Sequence, residues 1–256
     1  MAFSGSVCGV KGVSKRRTAS TLSGWHTLFG CNYPADRIEK KETTSTMANQ
    51  RNSVRIIGGK WGGRKIGFPS FPDLRPSGDR GRETLFNWLA ASLLNSQCLD
   101  LFAGSGCLGF EALSRGAAHV TFVDVRTRVI DCLRREAQRL LEDGSSGQTA
   151  TYSAMAESAN GDTADATVDF VRADARAWLA RAPAQPRFSI VFLDPPFDAA
   201  VLPQLLPLLR HWVQPGAVIY IEQSMRMALP PLPDGWVLAR QSRAGAVHMS
   251  LIETSA

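Results

Sequence analysis

The segment Asp194-Pro195-Pro196-Phe197 carries the most specific chemistry in this sequence, directly after the apolar run Ile190-Val191-Phe192-Leu193. Consecutive prolines fix φ and remove two N–H donors, leaving rigid, exposed carbonyls beside a carboxylate. The exocyclic amine of a nucleic-acid base is a poor nucleophile, because its lone pair is delocalised into the ring. A carboxylate oxygen and a neighbouring carbonyl that accept its two N–H bonds can draw it towards tetrahedral geometry. The lone pair is then released, and the rest is positioning for in-line displacement. Phe197 is expected to stack on the extruded base, a contact worth about 1–3 kcal/mol. The expected catalytic set is therefore Asp194, Pro195, Pro196 and Phe197.

A second constellation precedes it. Gly104, Gly106 and Gly109 satisfy G-x-G-x-x-G between an apolar strand and a helix, and Asp124 closes the next strand 20 residues after Gly104. Such glycines allow a tight turn and close approach of a ligand to the backbone, while the acid can accept hydrogen bonds from ribose hydroxyls. An adenosine-containing cofactor is expected, with Phe102, Ala103, Gly104, Ser105 and Gly106 lining its approach. The glycine motif alone does not separate a nicotinamide dinucleotide from S-adenosylmethionine. Two further acids favour the latter. Asp100 interrupts the strand ahead of the glycines, where it can reach the cationic ammonium of a methionine moiety. Asp174 follows the third strand, placed to accept from an adenine amino group. Taken singly, each acid is equally well a cap or a solvated loop residue. No Cys-x-x-Cys or Cys/His cluster suggests a metal site.

These residues need a scaffold that brings several strand ends together. Short apolar strands are expected at 54–57, 98–102, 119–123, 169–171, 189–193 and 217–221, with a terminal pair at 236–240 and 247–252. Helical stripes occupy Arg82 to Leu94, the segment after Gly106, and the stretch from Val129 to Leu141. Strands alternating with helices imply an α/β fold: a doubly wound, mostly parallel, seven-stranded sheet of Rossmann-like type with a short basic N-terminal arm. The domain itself is expected over 83–256, with a polar surface insertion at about 143–167.

Charge is concentrated ahead of that domain. The chain carries a net +6 with a pI near 9.3. Arg51, Arg55, Lys60, Arg64, Lys65, Arg75, Arg80 and Arg82 lie within 51–82, against Asp73 and Asp79 alone. With Trp61, Phe68 and Phe71 among glycines and prolines, this reads as a mobile arm that follows phosphates and unstacked bases. A solvated basic arm with no partner is the competing reading of the composition. Residues 1–50 are rich in Ser, Thr and Gly with no acid before Asp36, and are expected to be a disordered extension. They lack the apolar core of a secretory signal, although the Arg/Ser-rich composition also fits a transit peptide. Met47 offers an alternative start. Scattered, odd-numbered cysteines and the lack of a span-length apolar run point to a cytoplasmic protein, and a monomer is expected.

The motifs in combination resemble the RsmD family, bacterial 16S ribosomal RNA guanine-N2 methyltransferases. The resemblance rests on Arg55-Ile56-Ile57-Gly58-Gly59, Gly63-Arg64, Leu74-Arg75-Pro76, Asp79-Arg80, the run from Arg82 to Leu89, the run from Leu99 to Gly106, Leu108-Gly109, the run from Glu111 to Gly116, and the Asp194 motif. It spans 54 to about 252 apart from the insertion. Gly78, Gly81 and Cys107 depart from the usual family residues. The resemblance implies S-adenosylmethionine as methyl donor and, as partner, small-subunit rRNA within an assembled or assembling 30S particle. The arm residues Arg55, Lys60, Arg64, Lys65, Arg75, Arg80 and Arg82 are the expected RNA contacts. A DNA or RNA adenine-N6 or cytosine-N4 methyltransferase is the nearest rival, although little chain is available for a target-recognition domain. A nicotinamide-dependent dehydrogenase would leave the Pro-Pro motif unexplained, and a non-catalytic RNA-binding protein would not need the acids.

Overall fold

The computed structural model describes residues 52–71, 78–142, 166–196 and 201–255. The expected extension, most of the insertion, Arg75 and Phe197 lie outside the described residues. The elements run β1 (Asn52–Arg55), β2 (Lys65–Phe68), α1 (Asp79–Trp88), β3 (Gln97–Asp100), α2 (Cys107–Ser114), β4 (His119–Asp124), α3 (Thr127–Glu142), β5 (Thr167–Arg172), α4 (Ala175–Leu179), β6 (Phe188–Leu193), α5 (Leu202–Leu209), β7 (Val213–Ser224), β8 (Trp236–Ala244) and β9 (Val247–Thr254).

Strands buried on both faces read as continuous apolar runs, and their alternation supplies two cores. Ile190, Phe192, Val218 and Tyr220 face α1, α2 and α3, whereas Val191, Leu193, Ile219 and Ile221 face α4 and α5. The seven-stranded sheet has the order β5-β4-β3-β6-β7-β9-β8. Its first five strands are parallel, and β9 and β8 add antiparallel at one edge. This is the doubly wound, mostly parallel sheet that the sequence predicts. Strand order reverses between β3 and β6, where such sheets open a ligand crevice at their carboxyl edge.

Boundaries differ in instructive ways. The apolar stripe from Arg82 to Leu94 predicts one helix, but α1 occupies Asp79–Trp88 and the chain then turns. Leu89 and Leu93 are nonetheless buried, so their period reports burial rather than helical hydrogen bonding. β5 begins at Thr167, inside the expected insertion, and β7 continues past Ile221 to Ser224. The third glycine of the loop has a packing role: a Cβ on Gly109 would overlap the Phe122 ring, so only glycine lets α2 lie this close to β4.

The basic arm is not a mobile surface strand. β1 and β2 form an antiparallel hairpin, and Val54, Ile56, Trp61, Ile66 and Phe68 are buried in the core beneath α1–α3. Trp61 and Phe68 are thus core residues rather than platforms for bases. Ile57 N and Gly58 N donate to the Glu111 carboxylate at 2.6 and 2.8 Å, and Lys60 N donates to the Ser114 carbonyl at 2.7 Å. Gly59, at φ 75°, lies so close to the Ser114 carbonyl that a Cβ would overlap it. Glycines and aromatics without a period concealed this docking, because its partners on α2 lie more than 50 residues away. Among the described residues, no helix is long and apolar enough to cross a membrane.

Candidate active site

Register places the acids. Asp100, Phe122, Phe192 and Tyr220 form one row across β4, β3, β6 and β7. Further towards the carboxyl edge, Asp124 ends β4, Asp194 directly follows the last residue of β6, and Glu222 lies near the end of β7. Strands about 4.8 Å apart therefore gather three carboxylates above a fourth. Asp100, Asp124 and Asp194 were expected from sequence. Glu222 was not, because the predicted fifth strand stopped at Ile221.

The glycine loop sits over this row. Gly104 and Gly106 have φ of 50° and 76°, the left-handed region in which glycine is favoured. Gly106 is the N-cap of α2, and its N–H donates to the Ala103 carbonyl at 2.6 Å. The Ala103 N–H donates to the Val123 carbonyl, which ties the loop to β4. Ser105 is buried, and its hydroxyl accepts from Cys107 N at 3.4 Å. Phe102 is half-buried and packs on the opposite core, beneath the loop.

The acids have distinct settings. Asp124 accepts from Gly104 N at 3.1 Å, and from Arg126 N and Nε at 2.8 and 3.1 Å. Arg126, itself stacked over Phe71, is a neighbour of Asp124 that sequence reasoning missed. Asp100 is 2% exposed and accepts from Gly109 N at 3.1 Å. Burial, and secondarily the nearby Asp124 charge, push its carboxyl up to about 7. Asp174 is exposed and uses one oxygen to cap α4 through Ala177 N at 2.9 Å. Both the cap and the strand-end position were readable from sequence.

Asp194 is half-buried at the end of β6, with Pro195 buried and Pro196 exposed. Behind it, the Tyr220 hydroxyl donates to Glu222 Oε2 at 2.8 Å, both residues being buried. The signal that could have found Glu222 is the one that identified Asp124: a carboxylate closing an apolar strand.

Of the basic residues, Lys60, Lys65 and Arg80 are exposed, and Arg64 is half-buried. Arg55 is exposed and paired with Asp79 at 3.1 Å. Arg82 is a correction. It is 1% exposed, bonded to Asp79, Glu111 and the Arg55 carbonyl, and faces the interior rather than a phosphate.

Comparisons with known proteins agree with this geometry. A family model described as Conserved hypothetical protein 95 matches residues 54–253. The ribosomal RNA small subunit methyltransferase D of Haemophilus influenzae is 39% identical over 207 residues, 80% of this chain and 96% of that protein. Its Escherichia coli K12 namesake is 40% identical over 205 residues, 79% of this chain and 91% of that protein. The solved structure of the yhhF protein from Escherichia coli superposes with a TM-score of 0.63 at 37% identity, covering 80% of this chain and 99% of that one.

Proposed function

Since the chain belongs to the Conserved hypothetical protein 95 family, together with the ribosomal RNA small subunit methyltransferases D, we propose that it methylates the exocyclic N2 amine of a guanine in small-subunit rRNA. S-adenosylmethionine is the methyl donor, and when bound it supplies an electrophilic methyl on a cationic sulfur. The observation that carries this reading is the Asp194-Pro195-Pro196 turn, which follows β6 at the carboxyl edge of the sheet beside the switch point. In this reading the protein is a cytoplasmic monomer that acts on an assembled or assembling 30S particle.

The residues divide the work. Asp124 holds the ribose hydroxyls, while Asp174 accepts from the adenine amine through the oxygen not used in capping α4. The loop Phe102-Ala103-Gly104-Ser105-Gly106 gives the cofactor close access to backbone, and Asp100 faces its ammonium. Four acids at one sheet edge suit a cationic ligand better than a diphosphate, which they would repel. Asp194 and the carbonyls of the Pro-Pro turn accept the two N–H bonds of the amine and turn its lone pair towards the cofactor side. Phe197 stacks on the base. Lys60, Arg64, Lys65, Arg75 and Arg80 meet phosphates, as does Arg55 once released from Asp79.

The decisive experiment incubates naked rRNA and unmodified small subunits with methyl-labelled S-adenosylmethionine, then maps the label by nucleoside mass spectrometry. N2-methylguanosine is expected, with subunits the better substrate. Label on adenine N6 or cytosine N4 would replace the guanine assignment.

Asp100 adds a pH dependence. Its raised carboxyl is largely protonated below about 7, and the cofactor's ammonium favours the ionised form. Binding below that pH therefore requires proton release, and affinity should fall up to about tenfold per pH unit. Calorimetry in buffers of different ionisation enthalpy should detect the released proton near pH 6. Asp100→Asn should flatten the profile between pH 6 and 7. A wild-type affinity independent of pH over this range would remove Asp100 from the ammonium site.

A further inference from the structure

Carboxylates hold many of the arginines in this fold, among them Arg55, Arg115, Arg126 and Arg139. Three others differ. Arg226 follows β7, and Arg240 and Arg243 lie on β8, the edge strand of the sheet; all three are exposed. Their guanidinium groups make no ion pair or hydrogen bond among the described residues. Register fixes where they stand. β9 pairs antiparallel with both β7 and β8, so β8 runs parallel to β7. Leu193, Ile221, Ser250 and Gln241 form one row across β6, β7, β9 and β8. Asp194 directly follows Leu193, and Arg240 and Arg243 flank Gln241 in sequence. Strands about 4.8 Å apart put this stretch of β8 about 14 Å across the sheet from the Asp194 turn. Met225 N donates to the Ala246 carbonyl at 3.0 Å, which sets Arg226 beside the β8–β9 turn. The first turn of α1 packs on the end of β8, where a Cβ on Gly81 would stand 3.4 Å from the Ala244 Cβ. The exposed Arg80, next to Gly81, links these arginines to the basic hairpin.

We infer that Arg226, Arg240 and Arg243 form a second phosphate-binding surface, which holds the rRNA strand a few nucleotides from the base presented at Asp194. This inference rests on the rRNA reading above. The carboxyl edge gathers acids that repel a polyanion, so cations flanking the site must supply the attraction. The hairpin supplies fewer than its composition suggests, because Arg82 is turned inward and Arg55 is paired. β8 pairs on one side alone, and the backbone N–H groups on its open side add donors for phosphate oxygens. Charged residues on an edge strand also discourage pairing with a second copy of this chain. A planar guanidinium suits phosphate through two parallel hydrogen bonds.

The test measures binding of the full chain to unmodified small subunits across a salt series. Arg240→Gln with Arg243→Gln should reduce the slope of log affinity against log salt by about 1–1.5, at about 0.7 per phosphate contact. Affinity at about 0.15 M salt should fall about tenfold. KM for subunits should rise in step, with S-adenosylmethionine affinity near that of the parent. Arg240→Lys with Arg243→Lys keeps both charges and should keep most of the slope. Arg181→Gln with Arg210→Gln removes the same charge from exposed positions after α4 and at the end of α5, on the opposite edge of the sheet. That pair should bind like the parent. An unchanged slope in the first pair, or an equal drop in the second, would overturn this inference and leave the rRNA reading intact. So would a first pair that keeps RNA affinity but changes the oligomeric state in sedimentation, which would make β8 a subunit contact. Failure of the parent to bind small subunits would overturn both.

Discussion

Asp194→Ala should lower kcat by about 10²–10³, or about 2.7–4 kcal/mol of transition-state stabilisation, with S-adenosylmethionine affinity near that of the parent. The expected size is that of losing one preorganised electrostatic contact in a water-poor site. Cofactor binding should be spared, because the loop, Asp100 and Asp124 stand on β3 and β4 while Asp194 ends β6. Stability should also change little, since Asp194 is half-buried at a strand end rather than inside either core. Asp194→Asn should be milder, its amide oxygen still accepting from the amine while its NH₂ group can face the N1–H donor. Phe197→Ala should mainly weaken RNA binding and base positioning, and Phe197→Tyr should remain active. Single-turnover rates on small subunits, alongside calorimetry with the cofactor alone, separate these effects. Normal methylation by Asp194→Ala would refute the proposed mechanism.

The second large effect lies away from the chemistry. Glu111, 0% exposed on α2, receives Ile57 N and Gly58 N from the hairpin, Arg115 Nε at 2.7 Å and Arg82 Nη1 at 3.5 Å. Glu111→Ala removes the acceptor for two backbone donors and leaves the 1%-exposed Arg82 with a reduced counter-charge. Breaking such a buried pair from one side costs about 3–5 kcal/mol. For a domain of this size that lowers Tm by about 10 °C. The hairpin should also become the first segment cleaved in limited proteolysis, with new sites between β1 and β2. Glu111→Gln keeps an acceptor for the backbone donors and should lose roughly half as much. A Tm within about 2 °C of the parent and an uncut hairpin would show that the apolar residues Val54, Ile56, Trp61, Ile66 and Phe68 hold the arm alone.

What was legible in the sequence was local and periodic. Apolar runs such as Ile190 to Leu193 mark strands buried on both faces, and each acid that ends a run announces the carboxyl edge of the sheet. Gly104 and Gly106 declare a turn at positive φ, and a Pro-Pro pair after a carboxylate fixes a rigid acceptor turn wherever it occurs. These features follow from φ/ψ preference and side-chain alternation, so they need no knowledge of distant residues. The tertiary structure decided what depends on distant partners. Trp61 and Phe68 look like base platforms by composition but are core, because β1 and β2 pair with each other, β2 packs on α3 and their connecting turn docks on α2. Arg82 has the composition of a phosphate contact, yet Glu111, 29 residues on, holds it inside the domain. Glu222 becomes visible only once β7 runs past Ile221 to Ser224, where the Tyr220 hydroxyl donates to its carboxylate. A side chain's type states which interaction it can make, but burial and register, which are set by the whole sheet, select the partner.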